Sequence, residues 1–302
     1  MDPPARPLAG RRIGLSVSGD GAELAHHGFT PSGMNRFTVR LARALLAEGA
    51  TLAFGHDWRP EGVMEAVAAL AFEYHRPVDA EREPAAILNL IPWPTERSST
   101  DPNLLLRLHG IVEVRPAGCP EELRSLEEEA RHAGADSELY RYLRARGLTH
   151  LRRQLNEACD ARVALGGKLS GYDGRLPGIL EEVLLALQSH RPVYLVGVLG
   201  GAAQALGHVL LDGEDPGGLL REARLEELYR LQAARGGQEL GDPDLNPERL
   251  RQELREPELR ARLLANGLSE AENRRLLDST LEEEVVLLIL KGLKAGGRET
   301  EE

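Results

Sequence analysis

The stretch "ARVALGGKLSGYDGRLPGILEEVLLALQSHRPVYLVGVLGG" (Ala161–Gly201) decides the fold of this 302-residue chain. It opens with a short apolar run that ends in two glycines and continues into an apolar helix-forming segment. It closes with a second apolar run that again ends in two glycines. A buried strand, a crossover helix and a second buried strand form the βαβ unit of parallel sheets. The stretch therefore predicts an α/β protein with a mostly parallel sheet.

The same alternation of apolar runs and helical segments continues on the N-terminal side of this stretch. The further predicted strands are Arg12–Gly19, Gly49–Asp57, Ala85–Pro94 and Gly110–Gly118. Thr30 followed by Pro31 is typical of a helix start, with Thr30 as the N-cap residue. Short apolar strands that alternate with amphipathic helices indicate a Rossmann-like, doubly wound sheet covered by helices on both faces.

From Pro216 onward the chain contains no convincing strand. Two segments fit a capping box, Ser269–Glu272 and Thr280–Glu283, and the apolar run Val285–Leu293 predicts a buried final helix. We therefore expect a C-terminal helical appendage. The predicted organisation is a tail over residues 1–11, a nucleotide-binding Rossmann-like domain over 12–215, a helical extension packed on it over 216–295, and a tail over 296–302.

Composition excludes several functional classes. The formal net charge of -11 argues against stable, charge-driven binding of nucleic acid. The two cysteines have neither metal-ligand spacing nor the number of a disulfide framework, which favours reduced thiols and no bound metal. No apolar run approaches the roughly 20 residues of a membrane span, and no signal-peptide core follows the basic start. We expect a cytoplasmic protein without membrane contact.

The candidate ligand site follows from the ends of the predicted strands. Ligands of open parallel sheets bind outside the carboxyl ends of the strands, and glycine-rich turns follow four of them here. Glycine lets the backbone approach a ligand, helix starts attract anions, and arginine or lysine can add charged contacts. Tight turns alone would also explain glycine. The predicted ligand-binding residues are Ser18, Gly19, Asp20, Gly55, Asp57, Arg59, Gly166, Gly167, Lys168, Ser170, Gly171, Tyr172, Gly174, Arg175, Gly178, Glu181, Glu182 and Gly200.

The common nucleotide fingerprints are missing from this edge. The first predicted strand is followed by "SGDGAELAHHG" rather than GxGxxG, and the chain has no GxxxxGK[ST] loop. An ordinary NAD dehydrogenase and a P-loop ATPase are therefore disfavoured, and no conventional cofactor is expected. A nucleotide-derived ligand fits the glycine-rich edge better.

At this edge the residues resemble a known group. "ACDARVALGG" and "PGILEEVLLALQSHRPVYLVGVLGG" resemble the core of the SLOG superfamily, the Rossmann-like group of the Lonely Guy phosphoribohydrolases and the DNA-processing protein DprA. The pattern GG-x-LSGYxGRxPGIxEE is closest to the SLOG branch found beside TIR domains and purine-nucleoside-phosphorylase-like domains. "SVSGD" and "LAFGHDWRPEG" also fit that branch. The resemblance covers nearly the whole chain.

The resemblance implies either binding or hydrolysis of a nucleotide-like ligand. Lonely Guy enzymes cleave an N-glycosidic bond with a Glu and an Arg, and Glu182 matches the Glu of their PGGxGTxxE motif. Arg152 and Arg153 stand on the helix where that Arg is expected, and Arg153 is the predicted catalytic partner. Ile179 replaces the Thr of the motif, and His56 stands where the branch usually has a second Gly. These departures favour binding over turnover.

Two functional classes remain open at this point, together with a less favoured pure interaction scaffold. The branch implies a sensor of nucleotide-derived signals, similar to NAD or ADP-ribose, in a prokaryotic conflict system such as antiphage defence, with a TIR-domain or other effector as partner. The alternative is a nucleoside-monophosphate phosphoribohydrolase. Self-association is also expected, because Lonely Guy relatives are oligomers and the helix after Glu182 looks too apolar for a solvated face.

Overall fold

In the computed structural model, one six-stranded sheet organises the chain. The structure describes residues 6–19, 21–55, 62–76, 84–94, 102–134, 137–215, 218–220 and 247–296. The strands are β1 Arg12–Ser18, β2 Thr51–Gly55, β3 Ile87–Ile91, β4 Val112–Pro116, β5 Ala161–Gly166 and β6 Val193–Val196. All neighbouring strands pair in parallel, in the order β4-β3-β2-β1-β5-β6. The predicted Rossmann-like α/β fold is confirmed.

The sheet reverses its order of strands at β1. The chain moves outward from β1 through β2 and β3 to β4, and then returns to place β5 on the other side of β1. The pairing of β1 with β5 runs from Ile13 opposite Ala161 to Ser18 opposite Gly166. Such a reversal leaves a crevice at the carboxyl ends of the strands, which is the ligand position typical of this architecture.

Helices cover both faces of the sheet. They are α1 Gly21–His26, α2 Pro31–Ala47, α3 Met64–Tyr74, α4 Pro102–Arg107, α5 Glu127–His132, α6 Glu138–Glu157, α7 Gly178–Gln188, α8 Gly201–Asp212, α9 Pro247–Arg255, α10 Pro257–Leu264, α11 Glu270–Asp278 and α12 Glu282–Ala295, with a 3₁₀ helix at Glu121–Leu126. One core lies between the sheet and α2, α3 and α12, and the other lies under α6, α7 and α8. Apart from the edge strand β4, whose end is exposed, the strands are therefore buried on both faces, as their apolar sequences require.

Two of the three predicted helix starts are present. The Thr30 hydroxyl accepts from the Gly33 amide at 3.0 Å, and Ser269 with Glu272 forms a complete capping box. The predicted box at Thr280 is wrong, because α12 begins one residue later with Leu281 at the N-cap and no side-chain cap. Ser279 takes the polar role there: its hydroxyl accepts from the Leu281 amide at 3.2 Å and donates to Glu284 at 2.6 Å.

The C-terminal helices pack directly on the sheet layers. α11 lies against β6, α10 against α7 and α8, and α12 against α2. Asn266 connects this region to the sheet through two hydrogen bonds. Its side-chain Nδ2 donates to the Val193 carbonyl at 2.8 Å, and its main-chain carbonyl accepts from the Tyr194 hydroxyl at 2.7 Å. Among the described residues after Pro216 there is no strand, in line with the prediction. The domain limits stay a prediction.

Burial within the chain accounts for the apolar sequence of α7. Val183, Leu184 and Leu187 are all buried in the core formed with β5, β6 and α8. Helix α7 also contacts α6 and α10, so its sides are covered by the chain itself. The apolar character of this helix therefore lends no support to self-association, which stays a prediction. Separately, no helix in the part of the chain that the structure describes has the length and apolarity of a membrane span.

Candidate functional site

A cavity of about 430 Å³ opens at the carboxyl ends of β1 and β2. We call it the carboxylate pocket. Its lining residues are Leu15, Ser16, Val17, Ser18, Phe54, Gly55, Val63, Met64, Pro92, Arg144, Leu148, Leu151, Arg152, Asp173, Gly178, Ile179 and Glu182. The volume lies in the range of small-molecule sites, and mostly apolar walls with a few polar groups are typical of them. The pocket adjoins the strand reversal, where the fold predicts a ligand.

Glu182 is held at the wall of this pocket by groups from three elements. The Ser16 hydroxyl of β1 donates to its Oε2, and Arg162 Nη1 of β5 donates to the same oxygen at 2.9 Å. Arg162 Nη1 also donates to the Ser16 hydroxyl oxygen at 2.9 Å. The other oxygen, Oε1, lies 3.6 Å from Arg152 Nε. The carboxylate is therefore fixed through Oε2, and Glu182 lines the cavity.

Glu181 faces away from the cavity, although it adjoins Glu182 in sequence. Successive residues of a helix point about 100° apart, so the two side chains cannot share a position. Glu181 is 3% exposed and forms an ion pair with Arg152 through Oε2. Its Oε1 accepts from the Thr149 hydroxyl at 2.6 Å and lies 3.8 Å from Arg175 Nη2. Glu181 therefore positions Arg152, and Glu182 is the carboxylate available to a ligand.

Gly174 in the loop before α7 and Gly178 at the start of α7 make room for the Arg152 guanidinium. A Cβ atom on Gly174 would lie 2.7 Å from Arg152 Nη1, and one on Gly178 would lie 2.8 Å from Nη2. Gly14 has a similar relation to Arg162, because a Cβ there would lie 3.2 Å from the guanidinium carbon. Glycine at these three positions lets two buried guanidinium groups reach the carboxylates.

A different pair of glycine turns lies beside the pocket, after β5 and β6. We call Gly166–Gly167 and Gly200–Gly201 the glycine turn pair. The Gly167 amide donates to the Ser18 carbonyl at 2.7 Å, and the Ala202 amide donates to the Gly167 carbonyl at 3.0 Å. A Cβ on Gly201 would overlap the Gly167 carbonyl oxygen. These glycines are buried against one another and do not line the cavity.

The structure brings only part of the predicted ligand set to the pocket. Ser18, Gly55, Gly178 and Glu182 line it, and Gly174, Arg175 and Glu181 lie behind it around Arg152. The other predicted residues in the described part of the chain, which neither line the cavity nor surround Arg152, are Gly19, Gly166, Gly167, Lys168, Ser170, Gly171, Tyr172 and Gly200. Asp20, Asp57 and Arg59 lie outside the described residues. Their assignment as ligand-binding residues stays a prediction.

The arginine beside the two carboxylates is Arg152 rather than the predicted Arg153. Arg152 is buried, whereas Arg153 is exposed on α6 and does not line the pocket. Ser16, Arg144 and Arg162 also belong to the site, and no sequence pattern predicted them. Arg162 has a signal that could have revealed it, because a charge within an apolar strand must be paired when the strand is buried. Arg162 is 1% exposed.

The buried thiol of Cys159, close to Arg162, is unreactive near neutral pH. Burial raises the pKa of Cys159 to about 11, although the nearby charge of Arg162 acts in the opposite direction. The thiolate is the reactive form of cysteine, so this group is not suited to nucleophilic chemistry near neutral pH. In the described residues, no cluster of three or more His, Cys, Asp or Glu side chains is arranged to hold a metal ion. The charged groups that line the pocket among the described residues are carboxylates and guanidinium groups.

The family model described as SLOG cluster2 matches residues 7–276 of the chain. The chain belongs to the SLOG superfamily. The match includes the whole sheet and the helices up to most of α11, so the resemblance seen at the strand ends extends over the fold. SLOG membership suggests a role in binding or processing a nucleotide-related ligand. The TIR- and phosphorylase-associated branch stays a prediction, and no curated protein matches the chain.

Proposed function

We propose that this SLOG protein binds a nucleotide or a nucleotide-derived ligand, similar to NAD or ADP-ribose, in the carboxylate pocket and acts as a sensor. The observation that carries the proposal is the position of Glu182, an anchored carboxylate at the wall of a cavity at the strand reversal. A carboxylate oxygen is a strong acceptor for the hydroxyl groups of a ribose. Apolar residues such as Leu148, Leu151 and Met64 line the same cavity and suit the faces of a base.

The charges around Glu182 favour binding over bond cleavage. Arg152 and Arg162 both lie within 4 Å of its carboxylate. Two guanidinium groups at this range offset much of the negative potential that one carboxylate projects into the pocket. Cleavage of an N-glycosidic bond passes through a cation-like sugar, which an offset carboxylate stabilises less well. Hydrogen bonding to hydroxyl groups does not require an unpaired negative charge.

The second candidate is a nucleoside-monophosphate phosphoribohydrolase. Its support is the pairing of Arg152 Nε with Glu182 Oε1 at 3.6 Å, which joins the two residue types of the Lonely Guy motif at one cavity. Ile179 lines the pocket where that motif has a Thr, so one polar contact of the enzyme motif is missing here. The hydrolase therefore remains the alternative to the sensor.

The wider setting belongs to the same proposal. We infer a cytoplasmic regulatory component of a prokaryotic antiphage system, with the occupied pocket changing the interaction with a TIR-domain or other effector protein. Self-association would bring effector domains together, which is one way for a ligand to produce a response. A preferential affinity of the ligand for one state of the protein is required, because a ligand without such a difference shifts no equilibrium.

The deciding experiment measures binding and turnover on the same samples. Purified protein is incubated with NAD, ADP-ribose and the common nucleoside monophosphates, and chromatography measures the release of free base after long incubation. Titration calorimetry measures affinity in parallel for the wild type and for Glu182→Gln. A sensor shows tight binding, negligible base release and weaker binding in the variant, by about tenfold or more for a lost charged hydrogen bond. Base release that Glu182→Gln abolishes supports the hydrolase instead.

A folding control is needed because Glu182 also balances the buried charge of Arg162. Glu182→Gln leaves that guanidinium without its ion-pair partner, a situation that destabilises proteins by about 3–5 kcal/mol. The double variant Arg162→Met/Glu182→Gln removes both charges, so it separates loss of binding from loss of fold. Wild-type protein that neither binds nor cleaves any of these compounds would overturn both candidate functions.

A further inference from the structure

Arg144 is the second arginine of the pocket lining and has a different environment from Arg152. It is half-buried, and its Nη1 donates to the Pro94 carbonyl at 3.2 Å. In the described part of the chain no carboxylate forms an ion pair with it, whereas Arg152 contacts two. The backbone contact orients the Arg144 side chain, and no carboxylate of the described residues offsets its positive charge. A half-buried guanidinium of this kind is suited to an anionic ligand group.

Both arginines belong to one face of α6. Arg144, Leu148, Leu151 and Arg152 all line the cavity, and their spacing places them within an arc of about 100° on the helix. The two arginines are eight positions apart in sequence, which corresponds to about 12 Å along the helix axis. The helix therefore presents a cation at each end of an apolar strip. A ligand that fills this strip can meet Glu182 and Arg152 at one end and Arg144 at the other.

The remaining charge on the rim is Asp173, which also lines the cavity. Asp173 is exposed, so solvent screens the repulsion between its negative charge and an anionic ligand. No ion pair joins Asp173 to Arg144 within the described residues. The Arg144 end of the pocket therefore remains the place where an anion is most favourable. This local preference contrasts with the net charge of -11 of the whole chain.

We propose that Arg144 is the specificity-determining residue that selects phosphorylated ligands. Its guanidinium binds a phosphate of the ligand, while the sugar hydroxyl groups of the same molecule lie at Glu182. This inference rests on the proposed function and deepens it, since it names a nucleotide rather than a nucleoside or free base as the ligand class. Bidentate contacts between arginine and phosphate supply both the affinity and the orientation.

The test compares each nucleoside with its monophosphate. Titration calorimetry at fixed ionic strength measures adenosine, guanosine, cytidine and uridine beside AMP, GMP, CMP and UMP, and the pair that binds best is carried forward. Arg144→Met keeps the length of the apolar stem and removes the charge. Arg153→Met is the matched control, because Arg153 lies on the same helix, is exposed and does not line the pocket. Thermal melting confirms that both variants are folded.

The expected result is a selective loss. Arg144→Met weakens binding of the monophosphate by about 10- to 100-fold, as for a lost charged hydrogen bond, and changes nucleoside binding less than about twofold. Arg153→Met changes neither. Equal losses for nucleoside and monophosphate, or no loss for either, overturn the inference while leaving the proposed function in place if Glu182→Gln still weakens binding. Absence of wild-type binding to every nucleoside and monophosphate overturns the inference, and absence of binding to NAD and ADP-ribose as well overturns the proposed function.

Discussion

The glycine turn pair and the carboxylate pocket lie at the same edge of the same sheet, yet their glycines serve different purposes. In the turn pair, Gly201 packs its backbone against the Gly167 carbonyl, which also accepts from the Ala202 amide. In the pocket, Gly174 and Gly178 make room for the guanidinium of Arg152. One region is closed by main-chain contacts, and the other is organised by charged side chains around an open space.

This difference teaches that glycine at a strand end does not by itself indicate a ligand. A glycine can allow a ligand, a neighbouring backbone or a buried side chain to approach, and the three cases look alike in sequence. The nearest atoms distinguish them. For Gly167 these atoms belong to Ala202 and Ile179, and for Gly178 they belong to Arg152. The predictions below test whether the two regions are as different as the contacts indicate.

Among the glycines, the largest expected effect is the loss of stability in Gly201→Ala. Gly201 has a φ of 67°, which is unfavourable for alanine by about 1–2 kcal/mol. The added Cβ would also overlap the Gly167 carbonyl oxygen, and overpacking of this kind costs about 1–3 kcal/mol more. We expect a total of about 3 kcal/mol, measured by urea denaturation.

Gly171→Ala is the matched control for the turn pair. Gly171 has a φ of 62°, but nothing lies within 4 Å of the Cβ position, so only the backbone term applies. We expect about 1–2 kcal/mol for this variant. Equal losses in Gly171→Ala and Gly201→Ala would mean that the contact between the two turns contributes nothing, and the comparison would fail.

The second prediction concerns the charged side of the comparison and uses a double-mutant cycle. Arg162 and Glu182 form a buried ion pair at 2.9 Å, with the arginine 1% exposed. Glu182→Gln should be strongly destabilising, because it leaves the buried charge of Arg162 without its ion-pair partner. Arg162→Met should cost less, because Glu182 keeps Arg152 at 3.6 Å. The double variant should lose less than the sum, with a coupling energy of about 2 kcal/mol in urea denaturation.

An exposed ion pair provides the reference for this cycle. Arg43 and Glu73 lie 3.1 Å apart, and about half of each side chain is exposed. The same cycle there, Arg43→Met with Glu73→Gln, should give a coupling energy below about 1 kcal/mol. A coupling at Arg162 and Glu182 no larger than this surface value would show that the cluster does not act as a unit.

The smallest expected effect is a change of binding without a large change of stability in Gly178→Ala. Alanine suits the first turn of α7, and the new Cβ would displace Arg152 Nη2 from 2.8 Å. We expect affinity for the best-binding monophosphate to fall by about tenfold, or about 1.4 kcal/mol, by calorimetry. Gly171→Ala, in the same loop but in open space, should leave affinity unchanged. Loss of affinity in both variants would point to the loop and not to Arg152.

Much of the fold could be predicted because its signals are local. Apart from the edge strand β4, the strands lie in short apolar runs, since both faces of the sheet are covered, and helices with an apolar face alternate with them. Thr30 and the box at Ser269 mark helix starts because a hydroxyl at that position caps the free amides nearby. At Thr280 the same local pattern failed, since the adjacent Ser279 provides the polar contacts.

Only some residues of the candidate site could be predicted from short sequence patterns. Glu182 could be identified from its place in a motif at a helix start, and Gly178 from its place before it. Arg152 and Arg153 could not be told apart, because adjacent helical residues differ in direction by about 100° and only packing decides which one is buried. Arg144 lies about two helical turns before Arg152 on α6, so no short sequence motif includes both residues.

By itself, the sequence determined the parallel sheet, the helices on its two faces, the SLOG resemblance and the glycine-rich edge, because each depends on residues close together along the chain. Only the tertiary structure decided which glycines pack on backbone and which admit an arginine. It also brought Ser16 of β1, Arg162 of β5 and Arg152 of α6 around Glu182 of α7. The physical reason is that a buried charge is satisfied by whichever partners the packed strands and helices place beside it, and those partners come from distant parts of the chain.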